Sequence, residues 1–234
     1  MMTLSTFTKF TGIAAALATT FIAIPKSQAA TIVLDFEGVG NKANVREFYN
    51  GGTDSLGNTG TNYGIAFANN ALGSVDSDAG GSGNFGGEPS PDTALSFLDG
   101  SAATMNVAAG FDTGFSFFYS AIRNPGFISV YDGLNGTGNI LTTLNLPTTP
   151  DTGAPDPTGQ FSPFLPIGVS FSGIAKSVDF GGTADQIGFD NITLGSAIPG
   201  GSTQVPEPFT IVGTLIGATV AFRTRQRLKA TNKL

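Results

Sequence analysis

The sequence predicts an all-β protein, an antiparallel β-sandwich or jelly roll, with a separate apolar segment at each end of the chain. Glycine supplies 33 of the 234 residues and charged residues only 12%, a composition typical of turn-rich β proteins. About ten short apolar runs follow one another between clusters of Gly, Asn, Asp and Pro, and no helical period joins them. The length suits one domain with a sizeable core.

The first 29 residues have the three parts of a secretory signal peptide. Lys9 precedes an uncharged apolar stretch at residues 11–24, and PKSQAA follows it. Cleavage after Ala29 leaves Ser27 and Ala29 at the two positions where small residues are required. A short buried helix is the alternative interpretation. We therefore expect export, with residues 30–198 as the β-sandwich and residues 199–204 as a linker.

Ten runs within residues 30–198 are candidate strands, because each is short, rich in β-branched and aromatic residues and bounded by turn residues. They are TIVLDFE, YGIAFAN, TALSFL, ATMNVA, GFSFFYS, FISVYD, NILTTLNL, IGVSFS, AKSVDF and QIGFDNITL. Phe115, Phe117 and Tyr119 alternate along one of these runs, which predicts that they face the core. The strands FISVYD and NILTTLNL flank DGLNGTG, whose Asp-Gly and Asn-Gly pairs predict a hairpin.

Two long segments between the predicted strands contain few apolar residues. They are GSVDSDAGGSGNFGGEPSPD and PTTPDTGAPDPTGQFSP. Segments of this length are either mobile or held by something outside their own secondary structure, such as an ion. The first resembles an EF-hand loop in Asp76, Asp78 and Gly81, but Gly80 replaces a ligand and Glu88 falls one residue late. We expect a flexible acidic loop, and we expect both segments to flank the functional site.

Residue types exclude several functions. The chain has no His and no Cys, which removes imidazole bases, thiolate nucleophiles and the commonest transition-metal ligands. Residues 30–204 hold sixteen acidic and four basic residues, a net charge of −12, so nucleic acid is not expected as a partner. No nucleophile-elbow motif is present. We predict a non-enzymatic protein, and a glycosidase with a carboxylate pair stays as an alternative.

Acidic residues at the first and last predicted strands form a candidate metal site. Ile32, Leu34 and Phe36 share one face of the first strand, which leaves Asp35 and Glu37 on the other. In the last strand the apolar phase slips across Asp190-Asn191, which predicts a β-bulge that re-aims Asp190. Because first and last strands commonly lie close in a jelly roll, Glu37 and Asp190 are expected to meet.

The segments DFEG and GFDNITL resemble the opening and closing strands of carbohydrate-binding-module-like and galactose-binding-like jelly rolls. In those domains an early Glu and a late Asp hold a structural calcium ion, which is a hard cation that takes six to eight oxygen ligands. The resemblance implies a calcium site formed by Glu37 and Asp190, with Asp35 as an outer candidate. Two solvated acids at strand edges are the alternative.

The C-terminal segment differs from the acidic body in both charge and hydropathy. Pro206-Glu207-Pro208 precedes fourteen uncharged residues at 209–222, and a basic cluster follows, which consists of Arg223, Arg225, Arg227, Lys229 and Lys233. A helix of fourteen residues spans about 21 Å, which is short of the ~30 Å hydrocarbon core of a membrane. The basic end is expected to stay in the cytoplasm and the body outside.

This order of motif, apolar helix and basic end resembles the PEP-CTERM sorting signal of Gram-negative bacteria, including cyanobacteria. The same segment is also classed as an ice-binding protein C-terminal domain. The resemblance covers about residues 204–228 and implies a transmembrane sorting helix within residues 205–234. It further implies cleavage by an exosortase near Pro206-Glu207-Pro208 and delivery to the cell surface or the exopolysaccharide matrix. An ordinary single-span anchor and a packed amphipathic helix are the alternatives.

The predicted address and fold suggest two functions. The first is a structural, biofilm-type extracellular matrix component that is stabilised by calcium. The second is a lectin-like module that binds extracellular polysaccharide. Trp is absent, so sugar stacking would fall to other aromatic residues, of which Phe85 and Tyr63 are candidates. Ice binding lacks a regular Thr-x-Thr ladder and is the weaker alternative.

Overall fold

The computed structural model describes residues 31–151 and 159–200, which belong to a single compact unit. Within these residues there are twelve β-strands and no helix. The strands are β1 (Ile32–Leu34), β2 (Ala43–Asn44), β3 (Ile65–Phe67), β4 (Leu72–Val75), β5 (Thr93–Ser96), β6 (Ala102–Phe111), β7 (Gly114–Ser120), β8 (Gly126–Tyr131), β9 (Ile140–Leu146), β10 (Leu165–Ser170), β11 (Ala175–Gly181) and β12 (Gly188–Leu194).

The strands form two antiparallel sheets. The larger sheet has the order β10-β7-β12-β5-β4-β2, and β1 pairs with β12. The smaller sheet has the order β3-β6-β11-β8-β9. Strand β12 is therefore central, because β7 lies on one side of it and both β5 and β1 lie on the other. The first and last strands are neighbours, as predicted, with Leu34 opposite Ile192.

Aromatic side chains from both sheets fill the core between them, so the fold is a β-sandwich. Phe115 and Phe117 on β7 each lie about 6 Å, ring centre to ring centre, from Phe180 on β11 of the other sheet. Phe189 on β12 is closer to Phe180, at 5.1 Å. These rings are fully buried, and their edge-to-face packing stabilises the pair beyond simple burial. The prediction that alternate residues of GFSFFYS face the core is confirmed.

The hairpin of β8 and β9 is also confirmed, with Gly126 opposite Leu146 at its open end. Its turn uses positive φ angles at Asn135, Gly136 and Gly138, which is why Asn and Gly are needed there. Asp132 closes the turn, since its carboxylate accepts hydrogen bonds from the backbone and the side chain of Asn139.

Two details of the strand prediction are wrong. The first strand stops at Leu34 and does not reach Glu37, because Phe36 takes a positive φ of 60° and starts a turn that Val39 closes by donating to the Phe36 carbonyl. Strands β2 and β4 were not among the ten predicted runs. β2 has two residues and β4 reads LGSV, too short and too glycine-rich to carry a periodic signal.

The predicted signal peptide at residues 1–29 and the predicted sorting segment at residues 205–234 lie outside the described residues. Pro206, Glu207, Pro208, Arg223, Arg225 and Arg227 are therefore without a structural description. In the described part of the chain no helix has the length and hydrophobicity needed to cross a membrane.

Candidate functional site

A β-bulge in the central strand β12 places Asp190. The register against β7 passes from Asp190 opposite Phe118 to Thr193 opposite Ser116, so β12 carries one extra residue there. Asn191 absorbs the bulge with a positive φ of 47°. Phe189 and Ile192 both stay in the core while Asp190, fully buried, lies on the outer face of the larger sheet. The predicted bulge at Asp190-Asn191 is confirmed.

Ser90 covers the Asp190 carboxylate. The Ser90 hydroxyl lies 2.7 Å from one carboxylate oxygen and 2.8 Å from the other, and the Ser90 backbone N–H donates to the carboxylate at 3.0 Å. The same hydroxyl lies 3.0 Å from the backbone carbonyl oxygen of Asp35. Asn191 completes the set with a backbone N–H at 2.6 Å. Ser90 thus joins the end of β1 to the bulge of β12.

Glu37 and Asp35 lie just beyond the end of β1. Glu37 Oε1 accepts backbone N–H groups from Asp92 at 3.1 Å and Thr93 at 2.9 Å, which fixes it against the start of β5. The Asp35 side chain is exposed, and among the described residues it accepts only from the Glu37 backbone N–H, at 3.3 Å. Asp35 therefore reaches the site through its carbonyl oxygen rather than its carboxylate. We call Asp35, Glu37, Glu88, Ser90 and Asp190 the acidic site.

Glu88, like Ser90, is a member of the acidic site that the sequence did not assign to it. The Oε1 atom of Glu88 is buried and has no hydrogen-bond partner among residues 31–151 and 159–200. Burial, together with the negative charges of Asp76 and Asp190, raises the pKa of Glu88 to about 7. Burial also raises the pKa of Asp190 to about 7, with Glu37 adding to the rise, although the hydrogen bonds from Ser90 favour the ionised form. The site therefore concentrates negative charge that its hydrogen bonds only partly compensate.

The oxygens of the acidic site fit a hard cation in chemistry. They comprise the carboxylates of Glu37, Glu88 and Asp190 and the carbonyl of Asp35. The buried Glu88 Oε1 accepts no hydrogen bond from the part of the chain that the structure describes. Among residues 31–151 and 159–200, however, no group of three or more acidic side chains is positioned to hold a metal ion. Binding would require the half-buried side chains of Glu37 and Glu88 to rotate toward Asp190.

A second site lies on the outer face of the larger sheet, and two long loops build its wall. The loop between β4 and β5 meets the loop between β9 and β10 at a parallel bridge of Phe85 and Phe161. The Phe161 N–H donates to the Asn84 carbonyl at 2.9 Å, and the Gly86 N–H donates to the Phe161 carbonyl at 3.2 Å. The loops predicted to be mobile or ion-ordered are thus joined to each other.

An aromatic cluster fastens these loops to the sheet. Phe85 and Phe164 pack on Ala94 of β5, with Phe118 and Phe161 at the margin. Gly188 of β12 lies beneath, and a Cβ there would come within 3.1 Å of Phe85 and 3.3 Å of Phe164. Within the first loop, the buried Asp76 accepts the Phe85 N–H at 3.0 Å. The segment predicted as a flexible acidic loop is therefore closed by internal hydrogen bonds.

Beside this cluster is a cavity of about 430 Å³, which we call the outer pocket. Its walls combine amides, hydroxyls, aromatic rings and charged groups. The charged groups, amides and accessible ring of the lining include Lys42, Arg123, Asp185, Gln160, Gln186 and Phe161. Ser74 and Ser96 on the floor hydrogen-bond to each other at 2.7 Å. The size and mixed polarity match sites that bind small polar ligands.

The two candidate sugar-stacking residues are in different places. Phe85 lines the outer pocket but is only 6% exposed, so it supports the wall and offers little free ring face. Phe161, half-buried and in ring contact with Phe85 at 6.1 Å, is the more accessible ring. Tyr63 is 40% exposed and stacks on Tyr49 away from the residues that line the pocket.

Sequence reasoning missed Lys42, Arg123, Gln160 and Phe161 as pocket residues. One signal was available for the two cations, because the body has only four basic residues among twenty charged ones. Gln160 and Phe161 lie in the second long segment, which was expected to flank a site, but nothing in its composition indicates that it joins Asn84 and Phe85.

Comparison with known proteins leaves the family open. No protein-family model and no curated protein matches the chain. Among solved structures, one similar chain is the K3 cleaved adhesin domain of Lys-gingipain (Kgp) from Porphyromonas gingivalis w83. The identity is 15%, the match covers 71% of this chain and 91% of that one, and the TM-score is 0.27. A likeness at that TM-score carries no argument about fold or function.

Proposed function

We propose that this protein is a secreted, exosortase-sorted component of the cell surface or exopolysaccharide matrix of a Gram-negative bacterium, and that it is not an enzyme. The support for the address is the sequence at both ends, with Ala29 at the end of a signal peptide and Pro206-Glu207-Pro208 at the start of a sorting segment. In this proposal the body is a jelly-roll module that passes through the membrane and is then released from its apolar tail.

The outer pocket is the observation that favours a lectin-like module over an inert structural component. A sugar presents many hydroxyl groups around an apolar ring face, so its binding site needs planar amides and an accessible ring. Gln160 and Gln186 provide amides and Phe161 provides a ring. The Gln160 Nε2 donor has no acceptor among the residues that the structure describes. A purely structural matrix protein has no need of such a cavity.

The acidic site supports a structural role for calcium and argues against catalysis. Calcium would be held by Glu37, Glu88, Asp190 and the Asp35 carbonyl, and it would supply the positive charge that these oxygens lack. As a catalytic group Asp190 is poorly suited, since it is fully buried and its carboxylate already accepts from the hydroxyl and the backbone N–H of Ser90. A general acid needs a proton within reach of a substrate. The glycosidase and ice-binding alternatives have no comparable support.

A glycan array probed with the full-length chain tests the lectin-like module. We expect saturable binding to a subset of glycans, lost when Phe161→Ala or Gln160→Ala removes a pocket group. Phe127→Ala is the matched control, because Phe127 is a partly exposed aromatic residue on β8 of the other sheet. If no glycan binds saturably, the structural matrix component is the better description.

A further inference from the structure

The charges in the outer pocket differ from those on the rest of the body. Residues 30–204 contain four basic residues against sixteen acidic ones. Two of the four, Lys42 and Arg123, line the outer pocket, where Asp185 is the one acidic residue among the described lining residues. Half of the positive charge of a strongly acidic body is therefore gathered at one cavity.

Neither cation is used to hold the fold together. Lys42 and Arg123 are both exposed, and neither side chain forms an ion pair or a hydrogen bond with any residue that the structure describes. Their charges remain available to a ligand.

The backbones that carry these cations are fixed on opposite sides of the pocket. The Lys42 N–H donates to the Gly73 carbonyl of β4 at 2.8 Å, directly before β2. Arg123 follows β7, and the nearby Ala121 is tied to Thr149 by two backbone-directed hydrogen bonds of 3.0 and 3.1 Å. Three strands separate β7 from β2 in the larger sheet. Since neighbouring strands lie ~4.8 Å apart, the backbones of β7 and β2 are about 19 Å apart.

The same lining holds the groups that suit sugar hydroxyls. The Gln186 amide is held in place, since its Oε1 accepts from Asn124 at 3.2 Å and its Nε2 donates to the Asp185 carbonyl at 2.8 Å. The Gln160 amide is oriented by Asn84, which contacts both its backbone and its side chain. A ligand that fills the pocket would therefore meet two cations, a set of amides and an aromatic ring.

We propose that the outer pocket recognises an anionic glycan, a segment of polysaccharide whose sugar units carry carboxylates, with Arg123 and Lys42 each binding one carboxylate. This rests on the proposed lectin-like function and names its ligand class. Arg123 supplies the planar, two-pronged donor geometry that matches a carboxylate, and Lys42 acts as a point charge. Gln160 and Phe161 contact the neutral part of the sugar.

The negative charge of the body does not prevent such binding. At 0.15 M salt the Debye length is about 8 Å, so repulsion from distant carboxylates is screened while contacts inside the pocket are much less affected. The net charge instead supplies selectivity, because an anionic chain is favoured only where Lys42 and Arg123 are within reach. Elsewhere on the body it is repelled.

The test uses an oligogalacturonate and its methyl ester, which differ in the charge of the carboxyl group. Affinity for each is measured by calorimetry with the full-length chain at 0.15 M salt and with a chelator, so that calcium cannot bridge two acidic surfaces. We expect the acid to bind roughly tenfold more tightly than the ester. Lys42→Gln and Arg123→Gln should each weaken binding of the acid by roughly threefold, the scale of an exposed ion pair, so that the two together account for the tenfold preference. Affinity for the ester should not change.

Lys176→Gln is the matched control, because Lys176 is an exposed cation on β11 that does not line the pocket. Lys176→Gln should change the affinity for neither the acid nor the ester, and all three variants should have the melting temperature of the parent chain. Equal affinity for acid and ester, or an equal loss from Lys176→Gln, overturns the proposal. If the ester binds in the pocket without preference for the acid, the lectin-like function stands and the anionic ligand fails. If neither oligomer nor any arrayed glycan binds, the lectin-like function itself fails.

Discussion

Ser90 donates both its backbone N–H and its hydroxyl to the carboxylate of Asp190, one hundred residues further along the chain. Pro89 and Pro91 on either side of Ser90 restrict its backbone, and the hydroxyl oxygen also lies 3.0 Å from the Asp35 carbonyl oxygen. A single serine therefore ties the loop before β5 to both the first and the last strand.

Replacement of this serine should destabilise the sandwich. Ser90→Ala removes the hydroxyl that lies against the buried carboxylate, and hydrogen bonds to charged groups contribute roughly 1.5–3 kcal/mol each. We expect the free energy of unfolding, measured by denaturant titration, to fall by about that amount. Ser172→Ala, at an exposed serine, should stay within about 0.5 kcal/mol of the parent. Equal stability of the two variants would show that Ser90 has no structural role.

The stability of the chain should fall as pH rises between about 4 and 7 when calcium is chelated. Asp190 and Glu88 have ordinary pKa values of 3.8 and 4.5, and in the fold both are raised to about 7. Both groups bind protons more tightly in the folded state, so their contribution is fully present below pH 4 and is lost as pH rises through 7. Melting temperatures across this range measure the effect.

Asp190→Asn should make this pH dependence shallower, because the amide does not titrate. Asp99→Asn, at an exposed position, should leave the dependence as it is. A melting temperature that is constant from pH 4 to 7 in the parent chain would contradict the placement of two carboxyl groups with raised pKa.

At neutral pH calcium should stabilise the fold, whereas the rise in pH destabilises it. A cation that binds only the folded state with a Kd of about 0.1 mM contributes about 1.4 kcal/mol at 1 mM calcium. For a domain of this size, that corresponds to a rise in Tm of roughly 3–6 °C. Asp190→Asn should abolish the rise and Asp99→Asn should preserve it. Identical melting curves with 1 mM calcium and with chelator would rule out a calcium site of this affinity.

The junction of the two long loops should depend on a glycine at position 159. A Cβ at Gly159 would lie 1.6 Å from the Phe85 carbonyl oxygen, a clash that only backbone movement can relieve. Gly159→Ala should therefore separate the loops and increase hydrogen exchange at the Phe161 and Gly86 amides, which form the bridge. The amides of β11, in the other sheet, serve as the internal control. Unchanged protection at Phe161 would mean that the two loops do not depend on each other.

The tail should be absent from the mature protein. If an exosortase processes the chain, mass spectrometry of the extracellular form should give a C-terminus near Pro206-Glu207-Pro208. Replacing Arg223, Arg225 and Arg227 together by Gln should leave the tail attached, because the basic end holds the segment in its orientation. An intact C-terminus on the secreted parent protein would exclude processing.

Much of the fold could be predicted because its signals are local. Alternating apolar residues give the strand, and Asp-Gly and Asn-Gly give the turn, as the β8–β9 hairpin illustrates. A slip of phase within QIGFDNITL was enough to predict the bulge at Asp190. β4 escaped prediction because LGSV has no period of its own. It is a strand only because β5 and β2 supply hydrogen-bonding partners on both sides.

The candidate sites, like the fold, could be predicted only where the signals in the sequence are local. Glu37 and Asp190 could be paired in advance because the first and last strands were expected to be neighbours, and Asp35 was included by alternation. Glu88 and Ser90 could not be assigned to this site from the sequence, since they approach Asp190 from a loop about one hundred residues away. Only the packed sandwich brings that loop across the sheet. The pairing of Phe85 with Phe161 was hidden for the same reason.

By itself the sequence determined the all-β class, the positions of ten strands, the excess of negative charge and the expected address, because each depends on residues close together in the chain. Only the tertiary structure decided which loops meet, which carboxylates are buried together, and that Lys42 and Arg123 line one pocket. Those outcomes depend on contacts between distant segments, whose formation is driven by burial of a shared core rather than by any local pattern.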